Sequence, residues 1–410
     1  MGVASLFRVI EGASVTAPKG FRAGGLHCGL KKTSRNDLGA IVCEVPAVAA
    51  AVYTTNVFQA APLKVTRESL AKGNTLRAVI VNSGNANACT GKQGEEDAYT
   101  MRAEAAHVLG VQVDEVAVAS TGVIGELLKM DKVTAGIAAL PASLAAGGSG
   151  SEQFSQAILT TDLVKKEVCV SLMIDDQEVK IAGSAKGSGM IHPNMATMLG
   201  FVTTDAKIHP DALQSLLRET TDVTFNMITV DGDTSTNDML LVMASGLAEN
   251  RELGPQHPDW ESFAAALRHV CEILAQAIAR DGEGATRLVE VEVTGAISDL
   301  SARTIAKTIV GSSLVKSAVF GADANWGRII AAVGRAGEPV NPETVDIKLG
   351  TIPVLMGSRP IAFDEEEALA YLKGDTVVIS VDLQNGKGSA TAWGCDLTYD
   401  YVRINAAYRT

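Results

Sequence analysis

The chain has 410 residues, 47% of them hydrophobic and 20% charged, a composition that makes a folded globular protein and excludes a disordered one. Its net charge of −12 at pH 7, with no compensating run of lysine and arginine, excludes nonspecific nucleic-acid binding and favours small metabolites as ligands. No apolar run approaches the ~18–20 residues of a membrane span.

Residues 1–6 carry no basic segment ahead of an apolar one, and Leu6 stands where a myristoylation signal wants serine or threonine. A cytoplasmic protein is expected; an organellar protein shorn of its transit peptide would read the same. Residues 77–81 and 116–119 are short apolar runs that end in Asn82-Ser83-Gly84 and Ser120-Thr121-Gly122, which read as turns. Residues 140–151, with Pro141 and Gly147-Gly148-Ser149-Gly150, read as a loop. Residues 168–174 and 179–182 form a hairpin through Asp175-Asp176-Gln177. Pro210 and Asp211 open a helix, and Asp259 caps a longer one whose apolar positions Phe263, Leu267, Val270, Leu274 and Ile278 stop at Gly282. Val289, Val291 and Val293 alternate with Glu290 and Glu292 as in a half-buried strand. Residues 364–373 make a capped helix ending at Gly374, and 376–383 pairs with 390–397 as a hairpin. Strands, hairpins and helices mixed in this way predict an α+β layered fold. The cysteines at 28, 43, 89, 169, 271 and 395 lack any Cys-x-x-Cys or metal-ligand spacing and read as buried, reduced thiols.

The chemistry centres on Thr197, which follows Ala196 at the head of an apolar run. An internal threonine hydroxyl is a weak nucleophile without an adjacent base, and cutting the Ala196–Thr197 bond creates that base as a new α-amino group. With an unperturbed pKa of roughly 7.7–8.0, such an amine suits proton traffic near neutral pH. The same hydroxyl can make the cut by attacking the Ala196 carbonyl, giving an ester that water opens.

The segment Lys186-Gly187-Ser188-Gly189-Met190-Ile191-His192-Pro193-Asn194-Met195-Ala196-Thr197-Met198-Leu199 closely resembles the processing segment of the ornithine acetyltransferase family, the bifunctional glutamate N-acetyltransferases of arginine biosynthesis. The resemblance runs almost end to end. It includes Val15-Thr16-Ala17-Pro18-Lys19-Gly20-Phe21, the run from Asn82 to Gly91, Ser120-Thr121-Gly122-Val123-Ile124-Gly125 and the run from Val230 to Asp238. Gly321-Ala322-Asp323-Ala324-Asn325-Trp326-Gly327-Arg328 and Tyr401-Val402-Arg403-Ile404-Asn405 complete the set in family order. The resemblance implies a self-processing sandwich of two central β-sheets flanked by helices, cut into an α chain of residues 1–196 and a β chain of 197–410 that share one core. It implies an α2β2 heterotetramer, and a double displacement in which Thr197 takes acetyl from N2-acetyl-L-ornithine and yields it to L-glutamate. No cofactor and no metal are expected; acetyl-CoA enters only as a co-substrate that some family members use as donor.

Residue by residue, the resemblance makes Thr121 and Gly122 the oxyanion hole, where a hydroxyl and a backbone N–H can point outward together. It gives substrate-binding roles to Thr160, Lys186, Thr197, Glu283, Asn405 and Thr410. Their types fit an α-amino acid, whose carboxylate calls for an ammonium and whose ammonium calls for a carboxylate. Thr410 departs from the serine common in the family, though either supplies a hydroxyl.

Three other features read as structural. The run from Asp231 to Asp238 lacks the sixth-position glycine of a calcium loop and has Val242 in place of its closing glutamate. Gly187-Ser188-Gly189 lacks the third glycine and the lysine–hydroxyl pair of a phosphate loop. His192 is not needed as a base where a threonine α-amine is available. The alternative to the transferase is an aminopeptidase or amidase of the same self-processing superfamily, in which water replaces the amino acceptor.

Overall fold

The computed structural model describes residues 6–192 and 198–407. The chain divides into two compact units, the first made of residues 1–187, 194–222 and 234–274, the second of 188–193, 223–233 and 275–410.

The first unit is built on a nine-stranded mixed sheet. Its strands are β1 (Arg8–Val9), β2 (Phe21–Leu26), β3 (Leu38–Tyr53), β4 (Thr75–Asn85), β5 (Val116–Val123), β6 (Lys166–Ile174), β7 (Gln177–Lys186), β8 (Leu199–Thr204) and β10 (Met239–Ala244). They lie in the order β1-β6-β7-β8-β10-β3-β4-β5, with β2 also on β3. Both faces of the sheet are covered, so successive residues alternate between two cores. On β4, Ala78 and Ile80 join one cluster with Val116 and Val118, while Val79 and Val81 join the other with Ala117 and Ala119. Helices α1 (Ala61–Gly73), α2 (Gly91–Leu109) and α3 (Met130–Ala139) contribute to the first cluster, and α4 (Gly148–Ile158) packs Phe154 and Ile158 into the second. Helix α5 (Pro210–Val223) begins at the expected proline, and α6 (Trp260–Arg280) belongs to this unit as far as Leu274. All five apolar positions that define the period of α6 are fully buried.

The β6–β7 hairpin forms as expected: Ile174 pairs with Gln177 across Asp175 and Asp176, whose φ values of 49° and 63° suit a two-residue turn that follows strand twist. Two expectations fail. Helix α4 starts inside the stretch read as a loop: Gly147 is its N-cap at φ 78°, and Gly150 serves close packing, since a Cβ there would lie 2.2 Å from the Ala145 carbonyl oxygen. Nor do Asn82-Ser83-Gly84 and Ser120-Thr121-Gly122 form turns. They are paired ends of the parallel strands β4 and β5, with a register shift at Gly84/Asn85.

The second unit carries a seven-stranded sheet of β9 (Ile228–Thr229), β11 (Leu288–Ala296), β12 (Asp346–Leu349), β13 (Ile352–Met356), β14 (Arg359–Pro360), β15 (Thr376–Asp382) and β16 (Gly388–Cys395). Their order is β14-β13-β12-β15-β11-β16-β9. The expected hairpin of 376–383 with 390–397 does not form, because β11 lies between its two arms, parallel to β15 and antiparallel to β16. The linker crosses the end of β11, where Leu383 and Asn385 donate their N–H groups to the carbonyls of Thr294 and Gly295. Val289, Val291 and Val293 are buried, and the alternating Glu290 and Glu292 accept from Trp393 Nε1 (2.8 Å) and Ser380 Oγ (2.9 Å). Helix α7 (Asp299–Val310) packs on β11 and β16, with α8 (Ser313–Phe320) and α9 (Trp326–Gly334) following. Helix α10 (Glu365–Leu372) is capped by Asp364, whose carboxylate accepts from the Glu366 and Glu367 amides, and α11 (Tyr399–Ala406) is capped by Thr398.

The two sheets with flanking helices give the α+β class expected. All six cysteines are free thiols, but Cys89 is exposed and Cys28 half-buried, against the expectation that all are buried. No helix among the described residues is long and apolar enough to cross a membrane.

Candidate active site

In the first unit, four of the expected site residues come together. Thr121 and Gly122 sit near the end of β5, where Gly122 adopts φ 134° and its added Cβ would lie 2.3 Å from the Gly84 carbonyl carbon. Only glycine can hold that conformation against a neighbouring backbone. The strand end is braced from behind: Ser120 Oγ donates to Asn82 Oδ1, and Asn237 Nδ2 donates to the carbonyls of Ala86 and Ser120 at 2.5 and 2.8 Å. Lys186, the last residue of β7, brings its Nζ to 3.5 Å from Thr121 Oγ1. It pairs in register with Leu199, the first residue of β8.

Thr160 joins this group through Asp162. The Asp162 side chain is fully buried, as is that of Lys166, whose Nζ donates to Asp162 Oδ1 at 2.7 Å. The same oxygen accepts from the Gly187 amide at 2.7 Å, and Oδ2 accepts from the Thr160 amide at 3.0 Å. Burial works against ionisation of this carboxyl, but the ammonium groups of Lys186 and Lys166 outweigh it and hold the group well below the usual carboxylate range. Burial pushes Lys31 down to about 8, with the charges of Arg35 and Lys186 adding to the effect and Asp37 opposing it. The balance around Asp162 is positive, which suits an anionic substrate group.

Asp238, just ahead of β10, was not singled out from the sequence. It is buried, its Oδ2 has no hydrogen-bond partner, and burial pushes its carboxyl well above the usual range despite the nearby Lys186 charge.

In the second unit, Glu283 follows the end of α6 as expected, and Asn405 Nδ2 on α11 donates to Glu283 Oε2 at 2.8 Å. The Glu283 amide donates to the Ser188 carbonyl at 2.9 Å, and a Cβ on Gly189 would meet the Glu283 carboxyl at 2.4 Å, so the glycine makes room for that carboxylate. His192 Nδ1 lies 2.9 Å from Thr229 Oγ1; burial and the Lys307 charge lower its pKa to about 4, so the ring is neutral at pH 7. Ala196, Thr197 and Thr410 lie outside the described residues.

A cluster of donor atoms does occur in the first unit, at Asp175, His257 and Asp259. Its bonds are already made among protein groups: Asp175 Oδ2 accepts from the Arg251 amide at 2.9 Å and lies 2.9 Å from His257 Nε2, and His257 Nδ1 accepts from the Asp259 amide at 3.1 Å. It reads as a clasp on the β6–β7 turn.

A strand-end hydroxyl and a glycine amide beside a buried ammonium are groups of the kind that acyl transfer uses, two donors for an oxyanion and a cation for a substrate carboxylate. The ArgJ family model matches residues 22–410. The arginine biosynthesis bifunctional protein ArgJ of Geobacillus kaustophilus is 60% identical over 407 residues, 99% of this chain and 98% of its own length. That of Bacillus subtilis is 59% identical over 396 residues, 97% of this chain and 96% of its own. A solved ArgJ structure from Bacillus halodurans is 64% identical, covers 51% of this chain and 98% of the solved chain, and superposes with a TM-score of 0.50. The chain belongs to the ArgJ family and is an acyltransferase of arginine biosynthesis.

Proposed function

We propose that this chain is a glutamate N-acetyltransferase that cuts itself between Ala196 and Thr197 and then moves acetyl from N2-acetyl-L-ornithine to L-glutamate. Thr197 Oγ attacks the acetyl carbonyl, its proton passing through the α-amine to the departing ornithine nitrogen. The tetrahedral oxyanion accepts from the Thr121 hydroxyl and the Gly122 amide. The glutamate amine then attacks the acetyl-threonine ester, and the proton it loses returns to Oγ as N-acetylglutamate leaves. Lys186 binds the substrate carboxylate and Thr160 adds a hydroxyl donor; Glu283, with Asn405 bound to it, receives an ammonium; Thr410 supplies a further hydroxyl. No cofactor takes part, and acetyl-CoA would enter only as an alternative donor to the same threonine.

The observation that carries this reading is the register of β7 on β8: Lys186, whose ammonium neighbours Thr121 Oγ1, pairs with Leu199, two residues along the chain from Thr197. The half-length of the solved Bacillus halodurans chain, which matches 51% of this one, supports a cut near the middle. The cut protein is proposed to be cytoplasmic and to assemble as an α2β2 heterotetramer.

The test is intact mass with N-terminal sequencing of the parent and of Thr197→Ala, followed by acetylornithine consumption with and without glutamate. Two chains, the second starting Thr-Met-Leu-Gly, with an uncut variant and glutamate-dependent consumption, are expected. A folded, uncut parent would remove Thr197 as nucleophile, and consumption without glutamate would make the protein a hydrolase.

A further inference from the structure

Between β2 and β3, in the first unit, the chain turns around one buried carboxylate. Asp37 Oδ1 accepts from the Cys28 amide at 2.6 Å, and Oδ2 accepts from the amides of Gly29 (3.2 Å), Leu30 (2.8 Å) and Lys31 (3.0 Å). The Asp37 carbonyl accepts from the Ser83 amide at 2.8 Å, which ties this turn to the end of β4. Lys31 therefore leaves the turn at a fixed place. Its Cγ lies 3.3 Å from where a Cβ on Gly84 would stand, and Gly84 pairs in register with Gly122. The half-buried side chain then reaches the segment that follows α4, where Nζ donates to the Leu159 carbonyl at 2.8 Å while also donating to the Asn36 carbonyl at 2.7 Å.

The Leu159 carbonyl and the Thr160 amide belong to one planar peptide unit, so holding both ends of it fixes where Thr160 starts. Lys31 holds the carbonyl, and Asp162 Oδ2 holds the amide at 3.0 Å. Asp162 Oδ1 in turn holds the Gly187 amide, next to Lys186. The Lys31 ammonium lies close enough to Lys186 and Asp162 to feel both charges. We propose that Lys31 is a positioning residue for substrate binding: it locks the Leu159–Thr160 peptide against the strand end that carries Gly122, so that Thr160 presents its hydroxyl to the substrate. This rests on the substrate-binding role proposed for Thr160 and deepens it. Lys31 acts through Thr160 and does not touch substrate itself. Without the ammonium the carbonyl loses that bond, the peptide can rotate, and substrate must reorder it on binding, which raises KM and leaves the chemical step as it was.

The experiment measures kcat and KM for acetylornithine, at saturating glutamate, in the parent, Lys31→Met, Thr160→Val and the double variant. Methionine keeps an apolar stem and removes the donor. Lys31→Met is expected to raise KM by about three- to tenfold, the span that one lost hydrogen bond produces, with kcat within about twofold of the parent's. Thr160→Val raises KM as well, and the double variant is no worse than the worse single variant, because both changes remove the same contact. An unchanged KM in Lys31→Met beside a raised KM in Thr160→Val overturns this inference alone. So does a double variant whose losses multiply, since Lys31 would then act on substrate independently, and so does a loss confined to kcat or to the thermal transition, which is what a merely structural tether would give. An unchanged KM in Thr160→Val overturns the role proposed for Thr160 and this inference together. If Lys31→Met does not fold, Lys31→Gln, one atom shorter and so short of the Leu159 carbonyl, takes its place under the same criteria.

Discussion

At the scale of single residues, the site turns on groups that act through one another. Thr121 is nine-tenths buried and lies within 3.5 Å of the Lys186 ammonium. Removing an oxyanion donor typically costs ~2.7–4 kcal/mol of barrier, or about 10²–10³ in rate. Thr121→Ala is expected to slow both chain cutting and acetyl transfer by about that factor, and near-parent rates of both, by mass spectrometry and acetylornithine assay, would sink its assignment. Asp162 answers differently. Asp162→Asn leaves the buried Lys166 ammonium without its partner, which typically costs about 3–5 kcal/mol, and loosens Thr160 and Gly187 at once. A lower thermal transition is expected, and in Asp162→Asn/Lys166→Met, which removes the unpaired charge, stability should recover while KM for acetylornithine stays raised. Because the Lys186 and Lys166 ammonium groups hold the folded Asp162 carboxyl well below its usual value of 3.8, its stabilisation is fully present above about pH 4 and is lost as pH falls through the folded value. Asp162→Asn should therefore flatten the acid limb of the stability curve. From sequence, Lys186, Thr121 and Glu283 were legible because the motifs around them resemble a known family. Asp162 lies two residues past Thr160, and Asn237 and Asp238 lie in or at the end of the acidic run, yet none of the three has a role in sequence, because a buried polar group's partners become visible only when the strands are paired.

At the scale of elements, local patterns were reliable where one element suffices to explain them. The 3.6-residue period of α6, the Asp364 cap of α10 and the β6–β7 turn are each properties of one continuous segment. The failed hairpin shows the limit: β15 and β16 have the alternation and the Asn-Gly linker of a hairpin, but β11 competes for the same edges from 80-odd residues earlier in the chain. The misread loop has a similar cause, for Gly150, one of the glycines that suggested chain reversal, instead lets α4 approach the sheet, where a Cβ on it would lie 2.5 Å from the Ala23 carbonyl oxygen of β2. A Cβ on Gly25 of β2 would lie 2.4 Å from the Gln153 carbonyl oxygen and 2.9 Å from Ala157 Cβ, both on α4. Gly25→Ala is expected to destabilise by about 1–3 kcal/mol, as overpacking does, and to lower the thermal transition without altering KM. An unchanged transition would mean that the helix can retreat from the sheet at no cost.

At the scale of the molecule, the proposed cut would divide the sequence but not the sheet. Strands β8 and β10, which follow residue 197 in the chain, lie inside the nine-stranded sheet between β7 and β3, which precede it. Each of β8 and β10 pairs over six residues with its neighbours, and Leu199, Phe201, Met239, Leu241 and Met243 enter the same core as Ile41, Val79 and Phe154. The proposed halves rest on the motif around Thr197, and the order in which their strands interleave could not be read there, since strand order is a long-range property that no local run encodes. The cut protein is accordingly expected to elute from gel filtration as one species containing both chains, separating only in denaturant. Residues 1–196 produced alone would expose the inner edges of β7 and β3, unpaired and flanked by apolar faces, and are expected to aggregate. A soluble, cooperatively folding 1–196 fragment, or chains that part in native buffer, would show that the sheet does not depend on strands from beyond the cut.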